Sequence, residues 1–268
     1  MLLSVRRRTI REGNVGIVQA GLAVAKRRVA RVRSSPTTLD RVDYEQAWDD
    51  YAKMWRNRNP KLAHIGDEWT GERAGAAKTV AEYCQLIESR FIEPYISQDD
   101  SVMEIGVGGG KTSALLKKHC SDLTCCDISA EMLKATRERI GDDGVRYVKL
   151  DGIKLSGVRS GSMDVVFCFD TMVHMEPRDI FNYLTQVPRL TRSKRICVFH
   201  HGNTLSELGW KRFLSEWDRN LMGRSGGSFS VMTIELMARF LDHLDYEVVL
   251  KDTESIPRDC VWAVRAPG

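Results

Sequence analysis

The sequence predicts an α/β protein: a doubly wound, mostly parallel sheet of seven strands with helical additions on its N-terminal side. Three observations carry this. From residue 101 onward, apolar strand-like runs alternate with helical patterns, as crossover units over a parallel sheet do. The run 164–169 (DVVFCF) is apolar after its first residue, as befits a strand covered on both faces. A glycine-rich turn over 106–110 closes one strand and opens a helix.

Taken in order, residues 41–58 place Tyr44, Trp48, Tyr51 and Trp55 at helical spacing. Such a stripe serves as core or as a lid over a pocket. A loop with the sequence HIGDEW (64–69) follows, then a helix over 77–92 that Pro94 stops. Strand 102–105 leads through the glycine turn into helix 111–118. Strand 123–126, helix 130–140 and strand 145–150 come next. Strand 164–169, helix 180–190 and strand 195–200 continue the alternation. Helices near 206–220 and 232–244 precede strands near 246–250 and 260–264. Three parts result: a basic arm and linker (1–38), a helical lid or cap region (39–98) and an α/β domain (99–268).

Composition narrows the function classes. Of 268 residues, 43% are apolar and 28% charged, which excludes a disordered chain, a collagen and a polytopic membrane protein. No apolar run reaches the roughly 18 residues a membrane-spanning helix needs. The net charge is +4, yet residues 1–36 hold nine basic residues and one acid, so the remainder is net −4. An acidic body argues against a nucleic-acid partner. The seven cysteines are odd in number and lack C-x-x-C spacing, which predicts a reducing compartment without structural disulfides. The arm mixes Val15, Ile17, Val18 and Leu22 with a basic cluster at 26–33. It reads as an amphipathic segment on an anionic membrane surface, a transit peptide, or a packed helix. A cytoplasmic protein, peripheral at the inner face of the membrane, is the expectation.

The glycine turn reads Glu104-Ile105-Gly106-Val107-Gly108-Gly109-Gly110-Lys111-Thr112. A Walker A loop would need glycine where Ile105 stands. The dinucleotide fingerprint would need glycine where Lys111 stands. The spacing that fits is acid-x-Gly-x-Gly-x-Gly, through Glu104, Gly106, Gly108 and Gly110. It resembles the first motif of the class I methyltransferases that use S-adenosyl-L-methionine, and that resemblance implies a Rossmann-like methyltransferase sheet.

The resemblance extends down the chain. Asp127 closes the second strand about 20 residues after the glycines, where a carboxylate accepts from a ribose diol. Ser129 is a sufficient cap for the helix at 130, which leaves Asp127 to a ligand. Asp151 closes the third strand, where it could accept from an adenine amino group, with Gly152 beside it. Ile128 and Met132 could pack on the adenine face, and Phe169 ends the fourth strand against the cofactor. The Asp-x-Ser-x-x-Met-Leu run (127–133) recurs in this family in that position.

The acceptor side falls at the ends of the fourth and fifth strands, which face the ligand crevice of an open α/β sheet. There stand Asp170, His174 and His201. A hydroxyl acceptor must lose a proton to attack a methyl group, and histidine suits that duty. His201 or His174 is therefore the expected base, with Asp170 orienting a histidine or the hydroxyl. The stretches D-T-M-V-H-M-E (170–176), F-H-H-G-N (199–203), R-D-C (258–260) and G-D-E-W (66–69) resemble bacterial methyltransferases of glycan and secondary-metabolite pathways. That likeness implies O-methylation of a saccharide or lipid-linked saccharide. The alternatives are N- or O-methylation of a small metabolite, and a non-catalytic partner subunit. Thr191-Arg192-Ser193-Lys194 stands where that group has a Pro-Gly-Gly turn. No metal-ligand cluster is evident. Trp210, Phe213 and Trp217 could stack on a sugar face or serve as core.

Overall fold

A computed structural model of the chain describes residues 42–221 and 223–268. Its seven strands are β1 (Ser101–Ile105), β2 (Asp122–Asp127), β3 (Val145–Lys149), β4 (Met163–Cys168), β5 (Thr191–Gly202), β6 (Glu247–Asp252) and β7 (Asp259–Arg265). They form one sheet in the order β3-β2-β1-β4-β5-β7-β6. β1 to β5 run parallel, while β7 lies antiparallel between β5 and β6. The sheet is thus mostly parallel and doubly wound. Strand order reverses between β1 and β4, and a crevice opens at the carboxyl ends of strands at such a switch point. β1 and β4 are buried along their whole length, as their apolar runs require.

Seven α-helices accompany the sheet among the described residues: α1 (Tyr44–Arg58), α2 (Val80–Ile87), α3 (Lys111–His119), α4 (Ala130–Ile140), α5 (Pro177–Leu190), α6 (Glu207–Leu214) and α7 (Ile234–His243). Their starts are written locally. Asp43, Thr79, Ser129, Ser206 and Thr233 each accept a first-turn backbone N–H. Thr79 and Glu82 form a reciprocal capping box, which moves the start of α2 from the expected 77 to Val80.

Two cores sandwich the sheet. On one face α5 and α7 bring Ile180, Leu184, Met237 and Leu241 against Met103, Val166 and Phe199. On the other, Tyr83 and Phe91 from α2 and its continuation, with Leu116 of α3, meet Val102, Val165 and Val198. α1 packs on α4 through Trp55, Ile65 and Met132. Residues of the 39–98 segment thereby share core with the sheet. α6 ends at Leu214, short of the expected 220, because Ser215 caps it and Glu216 turns inward to accept from the Phe229 N–H at 2.6 Å. The basic arm expected over 1–38 lies outside the described residues.

Candidate active site

A cavity of about 770 Å³ lies at the switch point between β1 and β4. That size suits a cofactor together with a small partner. Gly106 and Gly108 line it. Gly106 adopts a φ of 77°, and a Cβ there would stand 2.3 Å from the Thr171 side chain, so no other residue fits. Gly110 does not line the cavity. It caps α3 in a left-handed conformation and lies against Thr136 of α4, so its role is helix packing.

The loop is braced from above by the 64–69 segment. Lys111 is buried and donates to the carbonyls of Trp69 (2.9 Å) and Gly66 (3.3 Å). Glu68 accepts from Trp55 Nε1 at 2.7 Å, from the Gly66 N–H at 2.9 Å and from the Tyr51 hydroxyl. Of the aromatic stripe on α1, Tyr44 and Trp55 are buried, and Tyr44, Trp48 and Tyr51 form part of the cavity wall. The stripe is both core and lid.

The three strand-end acids part company. Asp127 lines the cavity and accepts from the N–H groups of Ser129 (2.8 Å) and Gly108 (3.1 Å). Burial raises its carboxyl to about 6 against those bonds. Ile128 and Met132 line the cavity beside it. Glu104 is buried outside the lining and takes the Ser113 hydroxyl of α3. Burial raises its carboxyl to about 8, so it fastens the loop to the helix as a neutral acid. Asp151 is outside the lining too. Its Oδ1 accepts from the N–H groups of Ile153 (2.8 Å) and Lys154 (2.6 Å), closing a turn of its own, while Leu150 and Gly152 face the cavity.

At the end of β4, Phe169 and Asp170 enter the cavity. Asp170 holds a φ of 54°, a tight reversal that re-aims its side chain. Its Oδ1 accepts from the Tyr83 hydroxyl at 2.9 Å and lies 3.4 Å from His200 Nδ1. Its Oδ2 is buried without a hydrogen-bond partner among the described residues. Burial opposes the charged carboxylate, but His200 outweighs it and holds the carboxyl well below its usual range. His200 Nε2 lies 3.1 Å from Asp259 Oδ2. Burial disfavours the imidazolium, yet the two carboxylates outweigh it and hold the ring at about 9.

His174 lines the cavity, edge-on to Trp48, with Nδ1 3.3 Å from the Ser228 carbonyl. Donation from Nδ1 leaves the Nε2 lone pair open. Burial lowers its pKa to about 4, so the ring is neutral at neutral pH. His201 corrects the expectation. It is fully buried and outside the cavity lining; Nδ1 lies 2.8 Å from the Gly202 carbonyl, and Nε2 accepts from Trp262 Nε1 at 2.9 Å. Neighbours on a strand point to opposite faces, so of the pair it is His200 that faces the site side. The sequence placed His200 and Arg258 only within the F-H-H-G-N and R-D-C stretches, without a role of their own, and did not single out Tyr83. The period-two alternation of β5 was the signal for His200, and the R-D-C triplet for Arg258. Nothing near Tyr83 marks it.

Comparison with known proteins agrees with this geometry. Residues 103–199 match the family model of a methyltransferase domain. The fold is that of a class I methyltransferase, and its cofactor is S-adenosylmethionine. Magnesium protoporphyrin IX methyltransferase of Synechocystis PCC 6803, solved with bound SAH, aligns with a TM-score of 0.57 at 13% identity over 84% of this chain and all of that one. DhpI, solved as a complex with SAM and HEP, aligns with a TM-score of 0.57 at 18% identity over 82% of this chain and 94% of its own. Among curated proteins, ubiquinone biosynthesis O-methyltransferases of Psychrobacter cryohalolentis and Psychrobacter arcticus are each 27% identical over 43% of this chain and 52% of theirs. The chain thus matches about half the length of these relatives. The cavity-lining residues Gly106, Gly108, Asp127, Ile128 and Met132 fall within the matched methyltransferase region.

Proposed function

We propose that the chain transfers the methyl group of S-adenosylmethionine to a hydroxyl on a small acceptor, a saccharide or lipid-linked saccharide. The observation that carries this is the pairing, in one cavity, of an unpartnered Asp170 Oδ2 with a neutral His174 whose Nε2 is open. Bound in the cradle, the cofactor supplies an electrophilic methyl on a sulfonium. Gly106 and Gly108 let the main chain approach it, Asp127 takes the ribose hydroxyls, and Ile128 and Met132 cover the adenine. Asp170 Oδ2 accepts from a second hydroxyl of the acceptor, beside the reacting one whose single proton goes to His174, and so orients the acceptor. His174 Nε2 removes the proton, and the charge of Asp170 favours the imidazolium that forms. Trp48, Trp69 and Phe229 wall the site from water.

An amine acceptor arriving as free base would need no such pair. Likeness to the ubiquinone O-methyltransferases supports a second reading, O-methylation of a small biosynthetic metabolite. Incubation with labelled S-adenosylmethionine and an extract split into lipid, glycan, protein and nucleic-acid fractions separates them. Label in the glycan or glycolipid fraction supports the first reading, and label in small metabolites the second.

The basic arm is proposed to hold the protein at an anionic membrane that carries the acceptor. Among the described residues no helix is long and apolar enough to cross a membrane. Each basic residue near such a surface contributes about 1 kcal/mol, screened by salt. Full-length protein should therefore sediment with anionic vesicles and release in high salt, while a chain starting at Asp40 stays in the supernatant. Equal behaviour of the two would remove the membrane role.

A further inference from the structure

The outer wall of the cavity carries guanidinium groups for which methyl transfer itself has no use. Three segments distant in sequence meet there. Arg73 stands on the short 3₁₀ turn Glu72–Ala74, Arg212 on α6, and Arg258 just ahead of β7. The Arg258 N–H donates to the Ala74 carbonyl at 3.0 Å. The hydroxyl of Ser206, which caps α6, donates to the Arg258 carbonyl at 2.9 Å. A Cβ on Gly75 would stand 2.9 Å from Leu208 Cδ1 of α6. All three arginine side chains line the cavity.

Their bonding leaves donors open. Arg258 is only 6% exposed, and it clasps Asp259 through Nε and Nη2, each at 2.7 Å. Its guanidinium lies over the rings of Trp69 (5.2 Å) and Phe229 (5.0 Å), while Nη1 makes no hydrogen bond among the described residues. Asp259 is shared with His200, so it offsets Arg258 only in part. Arg212 pairs with Glu216 at 2.9 Å, and that carboxylate also accepts from the Phe229 N–H. Arg73 is exposed and makes no ion pair or side-chain hydrogen bond among the described residues. Glu72 is the exposed carboxylate of the same wall. A guanidinium clamped between aromatic faces with a free N–H edge is a fixed, weakly hydrated donor fork, suited to carboxylate or phosphate oxygens.

We propose that this wall is an oxyanion subsite, so that the acceptor carries a carboxylate or phosphate group bound by Arg258 inside and by Arg73 and Arg212 at the mouth. The word acceptor rests on the methyl-transfer reading; the anion site does not. Glu72 repels the same group and limits binding to ligands that reach Arg258.

Phenyl phosphate is the probe, titrated calorimetrically into the full chain with and without S-adenosylhomocysteine, with phenol as the neutral control. Phenyl phosphate should bind at one site per chain, at least about tenfold more tightly than phenol, from the strength of charge-assisted bonds. Arg73→Ala combined with Arg212→Ala should weaken it about tenfold or more, and Glu72→Gln should tighten it. Arg73 is exposed, whereas Arg212 is half-buried and pairs with the buried Glu216, so the double variant must also show an unchanged melting curve and unchanged S-adenosylhomocysteine binding, and Arg73→Ala alone is the variant that leaves that pair intact. Equal binding of phenyl phosphate and phenol, or wild-type affinity in the double variant, overturns the subsite. A chain that binds phenyl phosphate but not S-adenosylhomocysteine keeps the subsite and loses the methyl-transfer reading. The converse keeps the reading and loses the subsite.

Discussion

The two halves of the cavity are built on different principles. The half proposed for the cofactor is made of short-range features at strand ends: the turn after β1, Asp127 at the end of β2 with Ile128 after it, and Met132 on the helix that follows. Its key bonds run to backbone N–H groups, as from Gly108 and Ser129 to Asp127. The acceptor half is made of side chains that meet across the chain. Tyr83 reaches Asp170 over 87 positions, His200 reaches Asp259 over 59, and Trp48 meets His174 edge-on. In the proposed function a ligand common to many proteins would be held by a local pattern, and an individual acceptor by long-range packing. The halves should therefore respond separately to substitution.

The sharpest test of that separation is His174→Ala. Removing the base should lower turnover by about 10²–10⁴, while S-adenosylhomocysteine binds as in the wild type by calorimetry. A parallel loss of cofactor affinity would mean that the halves are one unit. The reciprocal change, Asp127→Ala, should weaken S-adenosylhomocysteine by about ten- to a hundredfold, the loss of a charged hydrogen-bond partner. It should leave phenyl phosphate binding intact.

His201→Phe probes the excluded histidine. It leaves the buried Trp262 N–H unpaired, at a cost of about 1–3 kcal/mol in chemical denaturation. Catalysis and both binding reactions should be unaffected. Because His201 is held neutral to about 4, against about 6.5 in the unfolded chain, the unfolded state takes up its proton first. The cost is thus whole above pH 6.5 and shrinks as pH falls toward 4. A cost that stays constant with pH would show that His201 is not buried neutral.

The smallest effect is in the alkaline range. His200, raised to about 9, and Glu104, raised to about 8, hold protons in the folded state that the unfolded state has lost. Their stabilisation is whole below the unfolded pKa of each and disappears as pH rises through the folded value. The Glu104 contribution should therefore fall between about pH 4.5 and 8 and the His200 contribution between about pH 6.5 and 9, and His200→Gln should flatten the decline in melting temperature over the latter range. An unchanged slope would place the proton elsewhere.

How far each half could be read from sequence follows the same division. The alternation of strands and helices, the glycine spacing and Asp127 are local, and periodicity and turn chemistry expose them. Gly110 shows where local spacing misleads, because it is spent on a helix contact, whereas Asp151 closes its turn through Oδ1 alone and lines an adjoining pocket with Ile128. His174, after β4, and His201, on β5, could not be told apart as candidates without knowing which face of β5 His201 meets. That face is set by pairing with β4 and β7, and the register there puts His201 opposite Cys260 on the sealed side. Tyr83, 87 residues from Asp170, carries no local mark at all.

The central claim, a cofactor cradle that works apart from the acceptor wall, is met most directly by one calorimetric series. S-adenosylhomocysteine is titrated into the wild type, Asp127→Ala and His174→Ala under the same conditions. One site per chain in the wild type, an affinity loss of about ten- to a hundredfold in Asp127→Ala and none in His174→Ala is the predicted result. Wild-type affinity in Asp127→Ala, or an equal loss in both variants, would contradict it.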